Sequence, residues 1–303
     1  MQSISHNKLT WLLTERPDAD DISYLQSQFD LHPLIIGQLT TPVYRPQFSE
    51  HNDYFFAVVH FPIFTETGNF KETGEIDILV NKKFVVTVCS HSDSPIHSFF
   101  SKCFRNNEIA KKYFRRGPYY LLLIIISQFL KNQFPFLDEL AQKTGELERR
   151  LFSLEESRTL REITYLQRDI IEMRKIIKPQ LSILRSIFAK EEIKADPYLS
   201  AYAQDVVATN IQIWNTLENY WETVNALHRT NNTMVSYKLN RSINILSAFS
   251  IMFFSATLVS SIFGMEVDIP PAFRDIKMVF TVMITVMGIT AFALFFLMRR
   301  RTL

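Results

Sequence analysis

The sequence predicts an α/β N-terminal domain, then a long helical stalk and a hairpin of two membrane-spanning helices. Three observations carry this reading. Aromatic and β-branched runs alternate with short helical segments over residues 1–137. Between Tyr198 and Phe263 there is neither proline nor glycine. Two apolar runs without a charge, residues 242–263 and 278–298, lie towards the C-terminal end.

In chain order, "DLHPLIIGQLTTP" reads as a short helix between two proline stops. "YFFAVVHFPIF", from Tyr54 to Phe64, has the composition of a strand. "EIDILVNKKFVVTVCS" reads as a hairpin turning at Asn81-Lys82-Lys83. "PYYLLLIIISQFLKN" (Pro118 to Asn132) is short for a span and opens with proline at a plausible first helical position. It is expected to lie buried against the sheet.

Residues 138–241 form the expected stalk. "DELAQKTGELERRLFSLEES" is charged and helical, and the next helix carries Pro179, where a bend is expected. "ADPY" breaks the chain. The sixty-six residues from Tyr198 to Phe263 would make one helix of roughly 100 Å at the α-helical rise. Val207, Ile211, Trp214, Leu217, Trp221, Val224 and Leu227 fall at steps of three and four and predict its buried stripe.

Composition excludes several function classes. A net charge of +2 over 303 residues argues against a nucleic-acid partner held by bulk charge. No glycine-rich phosphate loop occurs, so no nucleotide is expected, and no nucleophile–base pair suggests an enzyme or a resident cofactor. Cys89 and Cys103 read as free thiols in a reducing compartment. His91 and His97 lie near Cys89, Asp93 and Cys103, but the spacing fits no standard zinc site. The first twenty residues lack the apolar core of a signal peptide.

Each apolar run matches the ~20 helical residues needed to cross a bilayer core of about 30 Å. Lys238 and Arg241 precede the first span, and Arg299, Arg300 and Arg301 follow the second. The loop 264–277 holds Glu266, Asp268, Arg274, Asp275 and Lys277. The basic flanks place both termini in the cytosol, with the loop outside a plasma (inner) membrane. In this topology the Asn231 sequon is cytosolic and idle.

Polar residues in the first span follow one line. Asn240, Asn244, Ser247, Ser250, Thr257 and Ser261 stand at helical spacing, with Phe254 completing the face. Such a face either contacts another helix or lines a watery pore. A pore needs several copies around an axis, and therefore a homo-oligomer. Phe254 would then supply an apolar ring, and Glu266, just past Gly264, a ring of carboxylates at the outer mouth. Asp268 and Asp275 either add to that mouth or are ordinary solvated loop charges.

"KLNRSINILSAFSIMFFSATLVSSIFGME" resembles the first transmembrane helix and signature of the CorA-type metal-ion transporters, the two-span group with a Gly-Met-Asn motif. The resemblance covers nearly the whole chain, from "LHPLIIGQLTTPVYRPQF" through "RDIIEMRKIIKPQLSIL" to the basic "RRR". It implies a homopentameric funnel around a central pore passing divalent cations: magnesium, cobalt or nickel, with zinc in a sister branch. The pore-lining positions it implies are Asn240, Ile243, Ser250, Phe254, Thr257 and Ser261, and the signature falls on Gly264, Met265 and Glu266. Two departures stand out. Glu266 replaces the signature asparagine, so a charged ring meets the ion where neutral carbonyl oxygens would. This substitution would change ion choice, slow release or mark a non-conducting scaffold or metal sensor; with Glu266 as proton carrier it would suit proton-coupled zinc transport. The resemblance also implies a metal-sensing site between neighbouring soluble domains, with Asp205 as one acid. Its other positions fall on Gln38 and Arg229, which leaves that site depleted. Ser255 stands where the family often has proline, and Ser261 where it often has glycine.

Overall fold

The computed structural model describes residues 1–65, 69–91, 94–151, 156–264 and 276–301. The chain divides into two units, Met1–His228 and Arg229–Leu303.

The first unit is built on a mixed sheet. Its strands are β1 (Gln2–His6), β2 (Leu9–Glu15), β3 (Gln47–Glu50), β4 (Phe55–Phe64), β5 (Phe70–Val80) and β6 (Phe84–Cys89). They are ordered β1-β2-β6-β5-β4-β3, with only β2 and β6 paired in parallel. The expected hairpin is present: β5 and β6 pair antiparallel around Asn81-Lys82-Lys83, and the Asn81 side chain accepts from the backbone N–H groups of Lys83 and Phe84. The hairpin of β1 and β2 had no clear hydrophobic alternation to announce it. Its two-residue turn rests on Asn7 and Lys8, with φ of 50° and 68°, the left-handed pair that matches strand twist.

Helices cover both faces, which explains why β4 is apolar without alternation, with every residue from Phe55 to Ile63 buried. On one face α1 (Ala19–Gln28) and α2 (Pro33–Thr40) complete a core with Leu12, Phe56, Val58, Leu79, Val86 and Val88. On the other lie α3 (Pro95–Arg105), α4 (Asn107–Phe114) and α5 (Pro118–Lys131). There Trp11 meets Phe99 and Phe100, and its Nε1–H donates to Thr87 Oγ1 at 3.0 Å. As expected, α5 is a core helix, with ten of its fourteen residues buried. Both cysteines are buried and free. Burial pushes the Cys89 thiol up to about 12 and Cys103 to about 11, which makes them inert as thiolates.

Helices α6 (Phe134–Leu151), α7 (Glu156–Phe188), the short α8 (Glu191–Lys194) and α9 (Pro197–Gly264) follow. α7 packs on β4 and carries Pro179 within it. α9 is helical over 68 residues, as the absence of breakers requires. Its buried line differs from expectation. Leu217, Val224 and Leu227 are buried, but upstream the line runs through Ala203, Val206, Asn210 and Ile213. Val207, Ile211, Trp214 and Trp221 are only half-buried. The reason is polar chemistry that an apolar-spacing argument ignores. Buried Asn210 donates to Gln180 Oε1 at 3.3 Å, and Gln180 Nε2 donates to the His60 carbonyl of the sheet. The two tryptophans instead hold the Arg174 guanidinium, 5.3 and 5.2 Å from their rings, while that cation pairs with Glu218 at 2.6 Å.

Two sheet positions generate predictions. Gly74 faces Phe61 directly across β4 and β5, and the Phe61 ring occupies the space a Cβ at Gly74 would need. Phe61 cannot swing aside freely, because it is 2% exposed and packs edge-on against Phe129 at 5.8 Å. Gly74→Ala is therefore expected to destabilise the unit by about 1–3 kcal/mol. Thermal melting of the detergent-solubilised protein checks this, and adding Phe61→Leu should recover part of the loss; an unchanged midpoint for Gly74→Ala would show that the ring yields freely.

Asp77, 4% exposed, lies on the α1/α2 face beside Glu75. Burial, and then the neighbouring Glu75 carboxylate, raises the Asp77 carboxyl well above its ordinary value; burial also raises Glu75. A raised carboxyl keeps its proton in the folded state after the unfolded chain has lost it. Stability then falls as pH rises from about 4, the ordinary aspartate range, towards the raised value. Melting across this range should show the decline, and Asp77→Asn should flatten it.

Candidate ion pathway on the long helix

The second unit contains the C-terminal part of α9 and helix α10 (Ile276–Arg301). The local cause of both helices is an apolar sequence without proline; Gly264 ends the first. The apolar window of α9 has a mean hydropathy of 1.9 and is only 6% buried. Ile245, Leu246, Phe249, Ile251, Phe253, Leu258 and Ile262 are all exposed. A helix that is apolar over most of its circumference and uncovered in one chain needs lipid or further helices around it.

One face of α9 meets α10. Ala248, Met252, Ser255 and Ala256 are half-buried and Val259 is buried, as are parts of Val282, Met283, Val286, Met287 and Thr290 opposite. Small residues there let the backbones approach. Ser255 Oγ donates to the Met252 carbonyl at 2.8 Å and stands 3.5 Å from Thr290 Oγ1. From its own position in the sequence, Ser255 stands out only where the family often has proline. Its inter-helix role was legible in the steps of three and four joining Ala248, Met252, Ser255 and Val259.

The polar line lies away from this contact. Asn240, Ile243, Asn244, Ser247, Ser250, Phe254, Thr257 and Ser261 are all exposed, and Phe254 is 71% exposed. Ser250 Oγ donates to the Leu246 carbonyl at 2.9 Å, and Thr257 Oγ1 to the Phe253 carbonyl at 2.8 Å. Each hydroxyl proton is thus directed back into the helix, and the oxygen lone pairs are left facing outward. At Ser250 and Thr257 the face therefore presents hydroxyl oxygens as acceptors, with the Phe254 ring between them. Towards the end of α9, Thr257 and Ser261 also line an open groove of about 330 Å³ with Ala256, Ser260 and Met283. Gly264 is exposed, with open space where a side chain would stand. Met265, Glu266 and Asp268 lie outside the described residues, as do Asp275 and Arg274.

The other candidates sit in different surroundings. Asp205 is exposed on α9, and its carbonyl accepts from Thr209 Oγ1 at 2.8 Å. Gln38 is half-buried on α2, with Oε1 unpartnered, and Arg229 is exposed. Among the described residues no three His, Cys, Asp or Glu side chains group to hold a metal. His97 instead pairs with Glu15 at 3.2 Å, and Asp93 is outside the described residues.

The comparison with known proteins matches this architecture end to end. The family described as CorA-like Mg²⁺ transporter protein matches residues 6–300. A putative metal ion transporter of Bacillus subtilis, YfjQ, is 24% identical over 261 residues, covering 86% of this chain and 79% of the relative. The cobalt/magnesium transport protein CorA of Thermotoga maritima is 24% identical over 283 residues, covering 93% and 80%. The complete structure of the CorA magnesium transporter of Methanocaldococcus jannaschii superposes with a TM-score of 0.79 at 17% identity, covering 99% of this chain and 93% of that one; at that identity the likeness speaks for the fold. With the sheet domain, the long helix and both apolar segments inside one match, the chain belongs to the CorA-like Mg²⁺ transporter family.

Proposed function

We propose that the chain is a passive channel for divalent cations, magnesium foremost, formed by five copies with α9 around the axis. The observation that carries this reading is the exposed acceptor face of α9, set away from α10 within an otherwise apolar helix. Polar side chains in an apolar surrounding face water or partners, and hydroxyl oxygens with their protons turned inward favour cations over anions. Mg²⁺ gives up its water reluctantly, so the stripe of Asn240, Asn244, Ser247, Ser250, Thr257 and Ser261 acts on the hydrated ion. Phe254 forms the apolar constriction between them, where dewetting closes the path. The basic residues Lys238, Arg241 and Arg299–Arg301 hold both termini in the cytosol. Glu266 and Asp268 then ring the outer mouth with Gly264 and Met265, and the carboxylates concentrate cations there. The membrane potential drives flow.

Two predictions test this in proteoliposomes, with Mg²⁺, Co²⁺, Ni²⁺ and Zn²⁺ flux as the readout. Thr257→Val keeps shape but removes an oxygen from the acceptor face, and should cut Mg²⁺ flux about tenfold, the worth of one hydrogen-bonding partner. Ser255→Ala, on the α10 side, should leave flux within about twofold, since its hydroxyl serves packing. The reverse order would move the pathway to the other face. Separately, Glu266→Gln should lower divalent flux and change the ion preference. Silence of the wild type for every ion, with flux appearing in Glu266→Asn, would instead make the native chain a non-conducting scaffold. Zn²⁺ uptake that follows an inward proton gradient would make Glu266 a proton carrier.

A further inference from the structure

Between α2 and β3 the chain runs over residues 41–46 without regular secondary structure, and Pro42 and Pro46 frame it. Among the described residues, positions 42–46 make no backbone–backbone hydrogen bond. Their polar contacts are both at Val43, and both go to side chains of interior strands. Glu75 Oε2 on β5 accepts the Val43 N–H at 2.8 Å, and His60 Nε2 on β4 donates to the Val43 carbonyl at 2.6 Å. The Val43 side chain rests on the edge of the α1/α2 core. Tyr44, next along, is 92% exposed.

The two halves of this clamp are held differently. His60 stands opposite Glu75 in the β4–β5 pair. β3 pairs with β4 only as far as Val58, so the His60 carbonyl lies past the end of β3, and Gln180 Nε2 of α7 donates to it. Buried Asn210 of α9 donates to Gln180 in turn. His60 is thus fixed from behind by two helices. Because its Nε2 donates to a carbonyl, that nitrogen keeps its proton in either charge state, and the contact survives titration of the ring.

Glu75 is half-buried in the wall of an open cleft of about 490 Å³. Its carboxyl hydrogen-bonds to that of Asp77, on the same face of β5. Two carboxyl groups bond to each other only while one keeps a proton. Asp77 is the one that keeps it, since it is 4% exposed and faces the Glu75 charge. The surrounding titratable groups leave the pair as it is. His60 of β4 attracts the Glu75 charge, and burial holds Cys89 of β6 neutral. Glu15 of β2 pairs with His97 at 3.2 Å. Arg16 lies exposed on the cleft rim, with half-buried His91 beyond β6, and the α2 end brings only Gln38, Leu39, Thr40 and Thr41.

Once the shared proton leaves, two charges stand at hydrogen-bonding distance and repel. Asp77 is enclosed, whereas Glu75 has the cleft beside it. We propose that Glu75 is a pH-sensitive latch on residues 41–46: while it shares a proton with Asp77 it holds the Val43 N–H, and loss of that proton turns it into the cleft and frees the segment. Burial favours the protonated pair, so the latch is closed at low pH and opens as pH rises above the ordinary aspartate range of about 4. The segment is the two-state element, and the charge on Glu75 and Asp77 biases it. The latch works whether or not the chain conducts, because it shares no residue with the polar stripe on α9.

A nitroxide on Tyr44→Cys in the full-length protein in detergent tests this, with Cys89 and Cys103 both buried. Electron paramagnetic resonance should show the ratio of mobile to immobile label rising with pH by about tenfold, the worth of one hydrogen bond. The near-ultraviolet signal of Trp11, Trp214 and Trp221 should stay constant through that change, which separates release of the segment from unfolding. Asp77→Asn cannot form the second charge, and Glu75→Gln keeps an acceptor for the Val43 N–H. Both should hold the label immobile at every pH, whereas Glu75→Ala should leave it mobile throughout. Should Asp77→Asn fail to fold, Glu75→Gln at the more open position decides alone. A wild-type spectrum indifferent to pH, a transition kept unchanged in Asp77→Asn or Glu75→Gln, or tryptophan signals lost together with the order of the label would overturn the proposal.

Discussion

Backbone hydrogen bonding along α9 is the constraint on which the rest depends. From Pro197 to Gly264 the helix satisfies its own N–H and C=O groups apart from the ends. That is the condition for a chain to pass from watery surroundings into hydrocarbon, where an unsatisfied peptide group is costly. A single proline or glycine in the middle would relax it. The only proline and glycine of the helix are its first and last residues, where the first N–H groups and the last carbonyls lack helical partners anyway. Because the backbone is closed on itself, the side chains alone set what each stretch contacts.

Two different solutions appear along that one helix. In the first unit, its surface is joined to α7 by polar and cationic contacts as well as apolar ones. Gln167 donates to Asn225 at 2.8 Å, Asn210 reaches Gln180, and Arg174 lies between Trp214 and Trp221 while bonded to Glu218. In the second unit, small and apolar residues face α10, and hydroxyl and amide groups occupy a separate side. Directional contacts fix register where water competes for every polar group. Close packing of small residues does so where the surroundings are apolar and no hydrophobic drive remains.

The sheet domain shows the same tension between apolar covering and polar exceptions. Both faces are roofed by helices, so a polar residue in a central strand must find a partner or a cavity. Thr87 finds Trp11, and His60 finds Val43. Asp77 finds only Glu75 and the cleft. Burial raises the proton affinity of this pair, and the Glu75 carboxylate raises that of Asp77 further, while the end of α2 at Thr40 leaves an open cleft beside them. Where the roof ends, a strand pattern leaves charge on an inner face.

By itself the sequence determined several of the elements and the long helix. The turn at Asn81, the proline-bounded α2, the core helix α5 and the uninterrupted α9 all follow from local chemistry, and each is where its residues predict. The polar line from Asn240 to Ser261 was equally legible, because helical spacing alone puts those residues on one side. Only the tertiary structure decided what each face meets. It moved the buried line of α9 onto Asn210, whose burial depends on Gln180, thirty residues earlier. It turned Ser255 towards Thr290, a contact set by how α10 returns. It placed Gln38 of α2 over the same cleft as Glu75 and Asp77 of β5. Spacing along one segment fixes which residues share a face, but the partner of that face comes from a distant segment, and that information lies in the packing.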